Sequence, residues 1–115
     1  MQNLASEAWS FAEPEIMELA GRLDSLTSSA VEEDVLLCIQ SGARDMILDC
    51  DHVTYITGTG MQSLLRVARE MQMAHGKLAV CNLQPQVRDV FDFCGLESVI
   101  PVYETVSDAR VALAA

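Results

Sequence analysis

A chain of 115 residues, half of them hydrophobic and with only six Gly and three Pro, is long enough to bury one core and too apolar to be a disordered or low-complexity segment. Seventeen acidic residues against seven basic ones give a formal charge of -10, which repels the phosphates of nucleic acid and an anionic membrane surface, so neither is expected as a partner. The longest apolar run, Val35 to Ile39, is far too short to span a bilayer and the N-terminus lacks the basic residues of a secretory leader, so the expectation is one cytoplasmic domain over residues 1–115 with no membrane insertion.

The first strand is expected over Glu15 to Arg22, where Ile16, Met17, Leu19 and Ala20 precede a Gly and the polar stretch Asp24 to Ser29. Ser29 stands three residues before Glu32 at capping-box spacing, and Val31, Val35, Cys38 and Ile39 recur at helical spacing until Gly42, which predicts a helix over 27–41. Glu32, Glu33 and Asp34 then read as a solvated face that complements the helix dipole. Met46 to Leu48 predicts a central strand ending at Asp49, and Val53 to Ile56 is a second strand-like run. Gly58 and Gly60 bracket Thr59 ahead of Met61, Leu64, Leu65, Ala68 and Met71, which share one helical face stopped at Gly76.

After a tight turn at His75 and Gly76, Leu78 to Cys81 has the continuous apolar character of a strand covered on both sides. Pro85 suits a first helical position, Val87, Val90, Phe91 and Cys94 share a face, and Gly95 suits a left-handed stop. Val99 to Val102 reads as an edge strand because it holds a Pro, and Thr105 or Ser107 caps a last helix reaching Leu113. Trp9 and Phe11 suggest one more short strand. The alternation predicts an α/β domain with a mixed, largely parallel sheet of four to five strands and about four helices. Its core is expected to hold Leu48 and Val80, with Leu64, Leu65, Val90 and Phe91 buried against them. Cys38, Cys50, Cys81 and Cys94 lack CxxC spacing and three of them sit among apolar neighbours, which suits reduced, buried thiols.

Few constellations could carry chemistry. Gly58-Thr59-Gly60 follows a strand-like run and opens a helix, where free N–H groups favour an anion, but no Gly-Lys-Ser/Thr closes a P-loop. The plainer reading is a tight turn in which Thr59 or Thr57 caps the helix. Asp49 and Asp51 flank Cys50, and with Asp24 they could meet at the carboxyl edge of the sheet to hold magnesium, although Asp is also an ordinary turn residue and turns are the preferred reading. His52 and His75 have no zinc-ligand company, and Ser25, Ser28 and Ser29 sit in no nucleophile elbow. Met61 and Met71 read as core filler. No catalytic set, metal site or cofactor is expected; a small anion-binding enzyme using Asp49 or Asp51 is the competing class.

Ala20-Gly21-Arg22-Leu23-Asp24, Met46-Ile47-Leu48-Asp49 and above all Val53-Thr54-Tyr55-Ile56-Thr57-Gly58-Thr59-Gly60-Met61 fall in the order and spacing of a known pattern, followed by Gly76-Lys77-Leu78, Pro85-Gln86-Val87-Arg88 and Cys94-Gly95-Leu96. The chain thereby resembles the STAS domain, the family of bacterial anti-sigma factor antagonists and of the cytoplasmic tails of sulphate transporters. In its antagonists, the first Ser of an Asp-Ser-Ser-Gly segment is phosphorylated by an anti-sigma factor kinase, and the unmodified form captures that kinase. At the matching positions stand Thr57, Gly58 and Thr59, so the regulated hydroxyl is missing. The resemblance implies a non-enzymatic regulatory module that docks an anti-sigma factor kinase or related regulator through the 57–60 loop and the exposed side of the helix that follows it, with Thr57, Gly58, Thr59, Gly60 and Met61 as the binding loop, Thr59 or Thr57 as the remaining phosphoacceptors and a homodimer left open. A subunit of a signalling scaffold or of a lipid-transport ATPase complex is the alternative.

Overall fold

The computed structural model describes residues 13–114; the expected strand around Trp9 and Phe11 lies outside them. The two strand-like runs after Arg44 form one continuous strand. Strand β1, Glu15–Leu23, pairs in parallel along nearly the whole of β2, Met46–Ile56, from Glu15 opposite Met46 to Leu23 opposite Ile56. The polar stretch Asp49 to His52 stays in the ladder because β1 bonds its backbone whatever the side chains are, and two register shifts, one at Gly21 with φ +79°, absorb the mismatch. Asp49 and Asp51 are therefore strand residues, not turn residues.

Strand β3, Leu78–Cys81, is buried throughout and pairs in parallel with the other side of β2. Strand β4 is only Val102–Tyr103, shorter and later than the expected Val99 to Val102. Leu96–Ser98 form a 3-10 turn instead, and Pro101 has no N–H with which to carry the ladder backwards; its carbonyl accepts from Val80 at 3.0 Å. The sheet runs β1-β2-β3-β4, and every ladder among the described residues is parallel.

Helices α1, Ser28–Gln40, α2, Gly58–Met73, and α3, Pro85–Cys94, follow the first three strands. They cover one sheet face, where Val35, Leu64, Val67, Met71, Val87 and Phe91 cluster with Met46, Leu48, Val53 and Val80. Helix α4, Val106–Ala114, covers Ile47, Ala79 and Cys81 on the other face through Ala109 and Leu113. Thr105 caps α4 by accepting from the Asp108 N–H at 3.0 Å, and Gly95 ends α3 at φ +68°. Behind α2, His75 takes the left-handed conformation at φ +63°; Gly76 is required for another reason, since a Cβ there would lie 1.8 Å from the Arg44 carbonyl oxygen.

Several side chains sit differently from expectation. Leu65 is half-buried because α2 turns Leu64, Val67 and Met71 to the core, and Val90 is half-buried and Cys94 exposed because α3 turns Val87 and Phe91 inward instead. Cys38 is half-buried; Cys50 and Cys81 are buried, and burial pushes their thiols up to about 12 and about 11.

The expected capping box at Ser29 and Glu32 does not form. The Glu32 carboxylate instead reaches across to α2, accepting from the Ser63 hydroxyl at 2.8 Å and from Arg66 Nε at 2.7 Å, and Glu32 is thus a tie between helices more than a solvated face. The Ser63 hydroxyl, followed by the Arg66 guanidinium, holds the Glu32 carboxyl below its ordinary range. A group whose folded pKa is depressed contributes stability above its unfolded value and loses it as pH falls through the folded value. Glu32→Gln is therefore expected to flatten the fall in urea midpoint between about pH 5 and about pH 2, leaving a smaller slope from Asp24, whose carboxyl is also lowered. An unaltered slope would show that the Glu32 tie carries no pH-dependent stability.

Candidate functional site

Because Leu23 and Ile56 are register partners, β1 and β2 end level and their following loops lie side by side. Thr57 joins them. Its N–H and its hydroxyl both donate to the Leu23 carbonyl, at 2.9 and 3.2 Å, and its hydroxyl accepts from the Gly60 N–H at 3.1 Å. Of the two candidate caps, Thr57 is the one that opens α2.

The expected site residues are together but not alike. Gly60 is buried, and a Cβ there would sit 2.3 Å from the Leu23 carbonyl oxygen, so the close approach of the two loops demands glycine. Gly58 has an ordinary backbone conformation, and nothing lies within 4 Å of where its Cβ would be. Thr59 is exposed in the first helical turn, while Met61 is half-buried and packs against the core. The surface offered to solvent is thus Gly58 and Thr59, on a rigid base of Thr57 and Gly60. The N–H groups of the first turn have no partner within the helix and lie at the positive end of its dipole.

The neighbouring loop is braced as firmly. Asp24 Oδ1 accepts from the N–H groups of Leu26 and Thr27, at 3.0 and 3.2 Å, and the Thr27 hydroxyl donates to the Arg22 carbonyl at 2.5 Å. The Leu26 N–H does most to hold the Asp24 carboxyl below the usual range, against a smaller opposing effect of desolvation. This bracing presents Leu26 at 86 % exposure, and Arg22 beside it lies 4.7 Å from the centre of the Tyr55 ring. Sequence reading missed Leu26; the available sign was one large apolar residue inside a polar turn.

The carboxylates do not gather. Asp49 accepts from the Asn82 side chain at 3.0 Å, steadying the left-handed turn at Asn82, whose φ is +59°, and Asp51 faces His52. Among the described residues no three His, Cys, Asp or Glu side chains are placed to hold a metal. Beyond the end of β3, the exposed carbonyls of β2 are met by side chains: Gln84 donates to Asp51 at 2.8 Å and Gln86 to Thr54 at 3.2 Å. Two glutamines take the place of a strand there, so the sheet edge beside the loop is satisfied and stiff.

Among the described residues, a parallel sheet with three helices on one face and a helix-opening loop pinned to the end of β1 is the architecture of a small α/β domain. The model of the STAS domain family matches residues 12–109, and the chain belongs to that family of regulatory, non-catalytic domains. It is 32 % identical over 94 residues to BtrV of Bordetella bronchiseptica, a candidate anti-sigma factor antagonist, covering 82 % of this chain and 81 % of that protein. It is 26 % identical to an anti-sigma F factor antagonist of Paenibacillus polymyxa, covering 85 % of each. Among solved structures, the anti-sigma factor antagonist SpoIIAA in its unphosphorylated form superposes with a TM-score of 0.71 at 25 % identity, covering 85 % of each chain. No helix among the described residues is long and apolar enough to cross a membrane.

Proposed function

We propose that this chain is a single-domain, cytoplasmic anti-sigma factor antagonist that docks an anti-sigma factor kinase or related regulator through Thr57, Gly58, Thr59, Gly60 and Met61. The observation that carries the reading is the loop itself: Gly58 and Thr59 stand exposed on a base that Thr57 and Gly60 tie to the end of β1, in a chain of the STAS family. An exposed surface on a pre-ordered base binds with little ordering cost. A charge of -10 favours a partner with a basic face and disfavours nucleic acid.

In this reading the usual switch is absent, because Gly58 has no hydroxyl, and the module stays competent to bind without modification. Thr57 is a poor phosphoacceptor, since phosphate on its hydroxyl would remove the proton it donates to the Leu23 carbonyl and disturb the cap that accepts from the Gly60 N–H. Thr59, exposed at the helix opening, is the one loop hydroxyl that could be modified without dismantling the loop.

Capture of a purified anti-sigma factor kinase from the same organism tests the proposal. Gly58→Arg is expected to abolish capture while leaving the circular dichroism spectrum unchanged, since the position has room. Capture that survives in the folded variant would put the interface elsewhere. Intact mass from the native host, at rest and under stress, is expected to show no phosphate; stoichiometric phosphate on Thr59 would replace the constitutive reading with a switch moved by one residue.

A further inference from the structure

At the opposite end of the sheet from the 57–60 loop, the fold leaves a groove of mixed polar and apolar lining and an apolar knob on the same strip of surface. The groove, about 670 Å³, is lined by Leu65 and Ala68 of α2, Leu78 at the start of β3, Val99 and Pro101 ahead of β4, and Leu113 of α4. It exists because β4 is so short. The ladder stops at Pro101, and the space between α2 and α4 beyond it holds no strand. The knob is Phe93 near the end of α3, 92 % exposed and the most exposed large apolar side chain among the described residues. One 3-10 turn, Leu96–Ser98, separates knob from groove, and Ser98 and Val99 line the latter.

The charges around the two are opposite. Arg69 and Lys77 line the groove, two of only seven Lys and Arg in the chain. Around Phe93 stand Asp89 one turn earlier, Asp92 next to it and Glu97 beyond the turn, against the single Arg88 that pairs with Asp92 and Glu97. An exposed aromatic with carboxylates nearby and a partly apolar groove that holds two basic residues are complementary in character and in sign.

We propose that the groove takes Phe93 of a second copy of this chain, forming a two-fold dimer. Knob and groove lie on one strip, so a two-fold axis lets each copy supply both at once and closes the assembly. Each seated Phe buries roughly 150–250 Å² of its own surface, so two knobs with the groove walls they cover fall below the 1,200 Å² or so of a standard interface. The dimer is therefore weak and reversible, with a Kd on the order of 100 µM. Both 57–60 loops, at the far end of the sheet, stay open in it.

Sedimentation velocity on the whole chain from about 10 µM to about 1 mM tests this. The mean mass is expected to rise from one chain towards two. Phe93→Ser and Arg69→Glu, both at exposed positions, are each expected to weaken association at least about ten-fold with unchanged circular dichroism. A chain that stays monomeric throughout, or a dimer unaffected by Phe93→Ser, overturns the proposal. A dimer weakened by Phe93→Ser but not by Arg69→Glu also overturns it, because Phe93 would then be seated on some other surface.

Discussion

Phe91→Ala is expected to destabilise the protein by about 3–5 kcal/mol, while Leu65→Ala, on the neighbouring helix, costs no more than about 2 kcal/mol. Phe91 is 1 % exposed and packs in the cluster that joins α1, α2 and α3 to Leu48 and Val80 of the sheet, so its removal leaves a cavity that no neighbour can fill without leaving its own contacts. Leu65 is half-buried on the wall of the open groove, and water can replace much of what its side chain covered. Since small domains are stable by only about 5–15 kcal/mol, the first change takes a large share of the total. Urea midpoints at constant m-value check the ranking. Equal shifts for the two variants would mean that the wall of the groove is as closely packed as the core.

The difference between those two residues also shows where sequence reading stops. Helical spacing put Leu64 and Leu65 on one broad apolar stripe, but they stand 100° apart around the axis, and only contact with the sheet decides which turns in. The structure chooses Leu64, Val67 and Met71, with Gly60 and Ser63 where α2 meets its neighbours. Ser63, polar and buried, was invisible to periodicity because its partner, Glu32, is 31 residues away. The same holds for β2. Its polar middle looks like a turn until β1 is laid along it, and no local propensity contains that pairing. Punctuation by Pro85, Gly95 and Thr105 was readable because caps and stops are local chemistry. The candidate site was legible as a segment, from Thr57 to Met61, but not as a set of roles, since the roles depend on how near the Leu23 carbonyl comes.

Two glycines in that loop are expected to respond to alanine in opposite directions. Gly60→Ala should cost about 3 kcal/mol or more, beyond the usual range for a single added methyl in a packed site. Its Cβ would lie 2.3 Å from the Leu23 carbonyl oxygen and 2.9 Å from the carbonyl carbon, and both are backbone atoms with no rotamer to escape into. That carbonyl is itself held by the N–H and the hydroxyl of Thr57, so moving it breaks the bonds that cap α2 and tie the loop to β1. Gly58→Ala meets nothing within 4 Å and lies in the first turn of the helix with an ordinary backbone conformation, so the change chiefly restricts the unfolded chain and should stabilise by about 0.4–1 kcal/mol. Thermal and urea midpoints of the two variants, measured side by side, decide the matter. Capture of the partner should follow the same division: lost in Gly60→Ala with the loop's geometry, and retained more in Gly58→Ala than in Gly58→Arg, because a methyl fills less of the surface than a guanidinium does. Two variants that shift in the same direction would show that the contact between Gly60 and the Leu23 carbonyl is not what orders this loop.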